Sequence, residues 1–332
     1  MTEDNRNYVI LTGAGFSRDF GGLLAKDMWG VIYNSLESSG TQVGHLQCIK
    51  KYMFKKGHDQ YEAIYTDIKN KSEKCDCGNT FTDEDFASYR NAVEKAYTIL
   101  HECEKQNWPH HYDNQYISET NRRLSKLVKW FLEQECTYLF TLNQDLLIER
   151  ALIKNEFRWP NTNVEISDQT NGIEIQDIDD EGDLRYFKLH GSLNWRDQNG
   201  ELLILFGKEK LHLINEWSIF SRYHNKFSEA LKNSKVLSIG YSFNDEHINQ
   251  NIMNSIEEIE LHVMDPLPPS QFFEVMSLQP DSSKAKILSK IHAYYPWSYG
   301  EYLTNEELQR LIHKSYFGED FVIDSKLDEN HL

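Results

Sequence analysis

The strongest constraint on the fold of this chain is a short apolar stretch that recurs and each time ends in small or polar residues. The first, Tyr8–Leu11, runs directly into Thr12-Gly-Ala-Gly-Phe-Ser17. An apolar run that stops at a glycine-rich turn is typical of an inner strand of a parallel sheet that passes into a helix. We therefore predict an α/β fold with a Rossmann-like, mainly parallel sheet. The further predicted strands are residues 138–141, 186–189, 236–240 and 261–264, with another candidate at 291–295.

Helical patterns occupy the intervals between these strands. Residues 124–132 place apolar side chains on one face of a helix. Residues 86–104 and 217–231 also predict helices, and Thr82-Asp-Glu-Asp85 before the first of them is close to a capping box. The chain thus alternates strands with helices, as a parallel sheet requires.

One long stretch interrupts this alternation. From about Trp29 to Glu135 (about 29–135) the pattern is mostly helical, which predicts a helical insertion after the first strand. Residues 159–183 are acidic with few large apolar side chains, and they predict a surface loop or a short hairpin. We expect one main domain over residues 1–300, followed over 301–332 by a closing helix and an acidic tail.

Charge and cysteine usage exclude several classes of protein. The chain carries 35 Lys and Arg against 52 Asp and Glu, a formal net charge of −17, which argues against direct binding to nucleic acid. No apolar run reaches the roughly 18 residues of a membrane span, and the N-terminus has no secretory pattern. The odd count of 5 cysteines does not form a disulfide framework, so we expect a reduced, cytoplasmic location.

The polar residues at the strand ends carry the functional argument, because ligands bind at the carboxyl ends of parallel strands. Gly13-Ala-Gly15 could cradle a phosphate, or it could be an ordinary strand-to-helix turn. The dehydrogenase pattern G-x-G-x-x-G fails because its third glycine position holds Arg18. Hydride transfer of the usual kind is therefore disfavoured.

The later strand ends offer an amide, a carboxylate and an imidazole. Asn143 and Asp145 could act on a ribose and a developing positive charge, or could merely cap the next helix. His190 could accept a proton near neutral pH, although a lone histidine is more often structural. Segment 240–245 forms a second small-residue turn, and Asp265 could bind a ribose hydroxyl.

Taken in order, four segments resemble the sirtuin family: Gly13-Ala-Gly-Phe-Ser17, Thr141-Leu-Asn-Gln-Asp145, Leu189-His-Gly-Ser192 and Ser238-Ile-Gly-Tyr-Ser242. The resemblance extends over roughly residues 8–295 and implies that NAD is the substrate. It implies catalytic roles for Asn143, Asp145 and His190. The NAD-binding residues that it implies are Gly13, Ala14, Gly15, Phe16, Ser17, Thr141, Ser192, Gly240, Tyr241, Ser242 and Asp265.

The sequence also departs from the sirtuin deacylases. Those enzymes carry two CxxC pairs that form a structural zinc site, whereas here all five cysteines precede His190 and none makes a CxxC pair. We therefore predict no zinc module and no metal. The long helical insertion, the absence of the CxxC pairs and the residues of the motifs look more like the bacterial antiphage sirtuin-like effectors, which hydrolyse NAD.

That resemblance implies an NAD+ hydrolase that depletes cellular NAD in antiphage defence. It further implies a homo-oligomer regulated by a separate protein: a HerA-type translocase, an Argonaute-like protein or a nucleotide-sensing subunit. Two alternatives stay open. One is a sirtuin-type protein deacylase or ADP-ribosyltransferase, and the other is a subunit that senses NAD or ADP-ribose without catalysis.

Overall fold

The computed structural model describes residues 6–18, 20, 22–36, 43–57, 60–75, 78–105, 137–149, 185–196, 202–207 and 210–317. The strands in these ranges are β1 Asn7–Thr12, β2 Thr137–Thr141, β3 Arg185–Lys188, β4 Gly191–Arg196, β5 Leu202–Ile204, β6 Ser234–Ile239, β7 Glu260–Met264 and β8 Ile291–Tyr295. The helices are α1 Ala14–Arg18, α2 Ala25–Ser35, α3 Val43–Lys56, α4 Tyr61–Lys69, α5 Asp83–Lys105, α6 Lys210–Glu216, α7 Ser218–Ala230, α8 Glu246–Asn254, α9 Pro269–Ser277, α10 Ser283–Leu288, α11 Tyr299–Thr304 and α12 Glu306–Phe317.

A parallel sheet organises the described part of the chain. Its strand order is β3-β2-β1-β6-β7-β8, and each neighbouring pair is parallel. The order runs outward from β1 in both directions, as in dinucleotide-binding folds, so the switch point lies between β1 and β6. The predicted Rossmann-like α/β fold is confirmed, and each predicted strand agrees with an observed one to within two residues.

Both faces of the sheet are covered, which explains why its strands are apolar without alternation. On β1, Val9 and Leu11 join one buried cluster with helix α7, while Ile10 joins a second cluster on the opposite face. Helix α12 packs against that second face, where the Tyr316 hydroxyl donates to the carbonyls of Val9 and Lys235 at 2.9 and 2.8 Å. The predicted closing helix is therefore anchored to the two central strands.

The described part of the predicted insertion is helical and has its own core. Its described helices are α2 to α5, and α2 begins at Ala25. This core also includes the antiparallel hairpin β4–β5, which the sequence analysis did not predict. Phe206, just after β5, stacks on Tyr65 of α4 with ring centroids 4.9 Å apart. The predicted helix at 124–132, the predicted loop at 159–183 and the acidic tail lie outside the described residues.

Candidate active site

Two glycine turns meet at the switch point of the sheet. The turn after β1 donates from Gly13 N to Ile239 O and from Gly15 N to Gly240 O, both at 3.0 Å. Gly240 has a φ of +61°, and a Cβ atom on it would lie 2.4 Å from the Phe16 nitrogen. Only glycine fits this left-handed position without pushing the two turns apart. The glycines therefore allow two backbone segments to touch beside the cleft.

A cleft of about 870 Å³ opens at the carboxyl ends of the strands. Its volume is within the range of small-molecule sites. The cleft collects most of the residues singled out in the sequence, from segments far apart in the chain. Those that line it are Gly13, Ala14, Gly15, Ser17, Asn143, Asp145, His190, Gly240, Tyr241, Ser242 and Asp265.

Three of the residues implied to bind NAD do not line this cleft. Phe16 is buried under the turn and packs against Tyr299 with ring centroids 4.6 Å apart. Thr141 is buried and accepts a hydrogen bond from Asn143 N at 3.1 Å, so it shapes the loop that carries Asn143. Ser192 is completely buried in β4. Their roles as ligands of NAD remain predictions that this geometry does not support.

Asn143 is fixed by both protons of its amide. Its Nδ2 donates to Gly13 O and to Ser17 Oγ, each at 2.9 Å. Ser17 Oγ donates in turn to Asp145 Oδ2 at 2.6 Å, and Asp145 Oδ1 accepts from Leu147 N at 3.1 Å. Because the amide nitrogen is committed to the protein, Oδ1 of Asn143 is left as the atom that can accept a hydrogen bond from a ligand. Asp145 acts one step away, through Ser17.

A buried ion pair holds the loop that carries Asn143 and Asp145. Lys188, at the end of β3, donates to the backbone carbonyl of Asp145 and pairs with Glu149 at 2.7 Å. The two side chains are 4% and 10% exposed. Lys188 therefore neutralises Glu149 and holds the polypeptide segment that presents Asn143.

His190 lies in a cluster of histidines. Its Nε2 is 2.9 Å from Nε2 of His247, so one of these nitrogens carries a proton and donates to the other. His224 lies against His247, with ring centroids 5.4 Å apart, and its Nε2 is 3.1 Å from Leu189 O. His190 is 3% exposed and still lines the cleft.

An ionic chain borders this histidine cluster. Lys210 pairs with Asp245 at 2.7 Å and with Glu62 at 2.9 Å. Glu62 is on α4, so this chain of ion pairs joins the helical insertion to the turn just before α8, the helix that carries His247. One cation between two carboxylates leaves a net charge of −1 beside the cleft.

Burial sets the protonation of the histidines. It lowers the pKa of His190 well below its ordinary value, and it lowers the pKa of His224 to about 4 and that of His247 to about 3. Burial alone would raise the pKa of Asp245, but the neighbouring histidines and the Lys210 ammonium hold it well below its usual range. At neutral pH the histidines are therefore neutral bases beside an ionised carboxylate.

His190, His247 and Asp245 also have the chemistry of metal ligands. Their ligand atoms lie within 4.8 Å of one another. In this cluster, however, the Nε2 atoms of His190 and His247 already share a proton, so one of them has no lone pair to offer a metal ion.

Comparison with known families agrees with the geometry. The family model described as the SIR2-like domain matches residues 137–295, which span strands β2 to β8. The chain contains a SIR2-like domain. SIR2-like domains bind NAD, and the match indicates an NAD-related function of the sirtuin superfamily. No curated protein matches the chain. Among the described residues, no helix has both the length and the apolar composition that crossing a bilayer requires.

Sequence reasoning missed part of the site of this SIR2-like domain. His247 follows the 240–245 turn by two residues, and its position at a polar strand end was a usable signal. Glu62 and Lys210 carried no such signal, because they come from α4 and from the residues that follow the hairpin. Folding brings Lys210 to Asp245 and Glu62 to Lys210.

Proposed function

We propose that this protein is an NAD+ hydrolase that cleaves the bond between nicotinamide and ribose to give nicotinamide and ADP-ribose. The observation that carries the proposal is the convergence of both glycine turns, Asn143 and His190 on one cleft of a SIR2-like domain. The switch point of a doubly wound sheet is where such folds bind dinucleotides. The fold therefore supports a dinucleotide substrate, and the side chains of the cleft support the reaction.

Departure of the leaving group needs little assistance from the protein. Nicotinamide departs as a neutral base from a cationic ring, so no general acid is needed. The bond to C1 of the ribose breaks with both electrons going to nicotinamide, and the sugar becomes an oxocarbenium-like cation. Water then adds to C1 and loses one proton. The protein must stabilise the cation, place the water and accept the proton.

The polar side chains of the cleft match these three tasks. Oδ1 of Asn143 is the free acceptor for a ribose hydroxyl or for the attacking water, because its amide protons are bound by Gly13 and Ser17. Asp145 orients this pair through Ser17 and adds negative charge near the sugar. Neutral His190 accepts the proton. The net charge of −1 on Glu62, Lys210 and Asp245 favours a cationic transition state.

The test is to incubate the purified full-length chain with NAD alone and to measure nicotinamide and ADP-ribose. We expect release without any acyl or protein acceptor. His190→Gln should lower the rate at least about 100-fold, since general bases typically contribute 10²–10⁴-fold. Asn143→Ala should lower it by at least about 100-fold as well, because it removes a preorganised contact to the reacting sugar or water. His212→Ala is the control, because His212 is exposed on α6 and outside the cleft. Circular dichroism and urea unfolding would show that the variants are folded.

The outcomes separate the alternatives. Nicotinamide release that requires an acyl-lysine or a protein acceptor would assign the cleft to a deacylase or an ADP-ribosyltransferase. Binding of NAD or ADP-ribose without turnover, even with partner proteins present, would assign it to a sensing subunit. Full activity of both Asn143→Ala and His190→Gln would refute the proposed roles of these residues.

In the cell, we propose that the enzyme depletes NAD as an effector of antiphage defence. Because NAD loss is toxic, such an enzyme must be silent in healthy cells, and we propose control by homo-oligomerisation and by a separate partner protein. The test follows NAD and nicotinamide in cells that express the chain with and without its genomic neighbours, before and during infection. NAD levels that never change would argue against this role.

A further inference from the structure

A second group of metal-ligating side chains lies at the end of the sheet opposite the cleft. Glu260 and His262 are two residues apart at the start of β7, so they point to the same face of the sheet. His292 lies on the neighbouring edge strand β8. The Glu260 Oε1 atom is 2.9 Å from His262 Nε2 and 3.7 Å from His292 Nε2. The three ligand atoms all lie within 4.8 Å of one another.

Two of these side chains are held by partners on their far sides. Arg6 binds the other carboxylate oxygen of Glu260, Oε2, at 2.7 Å, so Oε1 faces the histidines. The hydroxyl of Tyr295 is 2.8 Å from His262 Nδ1 and donates its own proton to Ser315 Oγ at 2.8 Å. An outer group that orients each ligand is typical of built metal sites.

These hydrogen bonds fix the tautomer of His262. Since the Tyr295 proton goes to Ser315, the Tyr295 oxygen accepts, and Nδ1 of His262 must carry the ring proton. In the neutral ring, Nε2 then presents a lone pair to a carboxylate oxygen 2.9 Å away. A cation is required between two such acceptors. One proton would satisfy this pair only, whereas a metal ion would bind all three ligand atoms.

We propose that Glu260, His262 and His292 bind a divalent transition metal, with Zn²⁺ as the best match. Two imidazoles and a carboxylate are a ligand set that zinc uses. Ligand atoms about 2.0–2.2 Å from a tetrahedral zinc ion are about 3.3–3.6 Å apart, and the observed 2.9 and 3.7 Å lie on either side of that range. The 62% exposed side chain of His292 closes the site from the solvent side. A fourth position stays open to water.

The bound ion would tie β7 to the edge strand β8 and, through Tyr295 and Ser315, to helix α12. It would therefore stabilise the end of the sheet opposite the cleft. This site does not depend on the proposed hydrolase activity, and its test needs no NAD.

The experiment titrates the metal-stripped full-length chain with Co²⁺, followed by visible absorption, and then with competing Zn²⁺. We expect one site whose affinity falls at least about tenfold in His292→Ala and in Glu260→Gln. His212→Ala is the matched control, because His212 is an exposed histidine 3.8 Å from Glu216 and has no third ligand within the described part of the chain. Zn²⁺ should raise the Tm of the wild-type chain and leave that of His292→Ala unchanged.

Two results would overturn the proposal. Co²⁺ affinity that is unchanged in both His292→Ala and Glu260→Gln would exclude this site. Affinity lost in His247→Gln but kept in His292→Ala would place the metal in the cleft instead. Because His292 is exposed, its variant should fold, which circular dichroism checks.

Discussion

Replacing Lys188 by Met should destabilise the protein by about 3–5 kcal/mol, the usual cost of leaving a buried charge unpaired. Lys188 and Glu149 are 4% and 10% exposed and only 2.7 Å apart. Removing the cation leaves a carboxylate with little access to water. The change also removes the hydrogen bond to the carbonyl of Asp145. We therefore expect weaker NAD turnover as well as lower stability.

A second ion pair in the same chain supplies the control. Lys290 and Glu257 have the same N···O distance, 2.7 Å, but their side chains are 43% and 75% exposed. Lys290→Met should cost less than about 1 kcal/mol, since water replaces the lost partner. The two variants thus compare a buried and an exposed ion pair at the same N···O distance.

A double variant completes the cycle. Lys188→Met combined with Glu149→Leu removes both charges, and it should recover most of the stability lost in the single variant. The free energy of unfolding is measured from urea transitions, with activity assayed in parallel. A single variant that costs less than about 1 kcal/mol, or a double variant that is less stable than Lys188→Met, would refute the argument.

Two further predictions concern the site. Gly240→Ala should strongly destabilise the chain and abolish NAD binding, because its Cβ would lie 2.4 Å from a backbone nitrogen. Gly30→Ala, with open space around it in α2, should stabilise the chain by about 0.5–1 kcal/mol. Equal free energies of unfolding in urea for the two variants would contradict this difference. The lowered pKa of His247, about 3, means that its contribution to stability is complete above its unfolded pKa of about 6.5 and is lost as the pH falls toward 3. Between about pH 6 and pH 4, the free energy of unfolding of His247→Gln should fall by about 1.4 kcal/mol less per pH unit than that of the wild type. Parallel plots of this free energy against pH would disprove the prediction.

The sequence determined the sheet and the place of its site. The strands could be predicted because an inner parallel strand is buried on both faces and so reads as a continuous apolar run. The residues after each strand could be singled out because parallel strands end at the same edge. Asn143, Asp145 and His190 reached one cleft for that reason. The hairpin β4–β5 was not predicted because its short strands pair with each other outside the main sheet, and they lie between the core of that sheet and the core of the helical insertion.

Only the tertiary structure decided which neighbours act together. Periodicity cannot show that His247 would face His190, or that Lys210 would bridge Asp245 and the distant Glu62. It also cannot distinguish Ser17, which lines the cleft, from the adjacent Phe16, which packs beneath it. A sequence pattern fixes the face and the end of an element on which a residue lies. The partners of that residue depend on the packing of distant segments, because hydrogen bonds and ion pairs form only when their atoms are within about 3–4 Å.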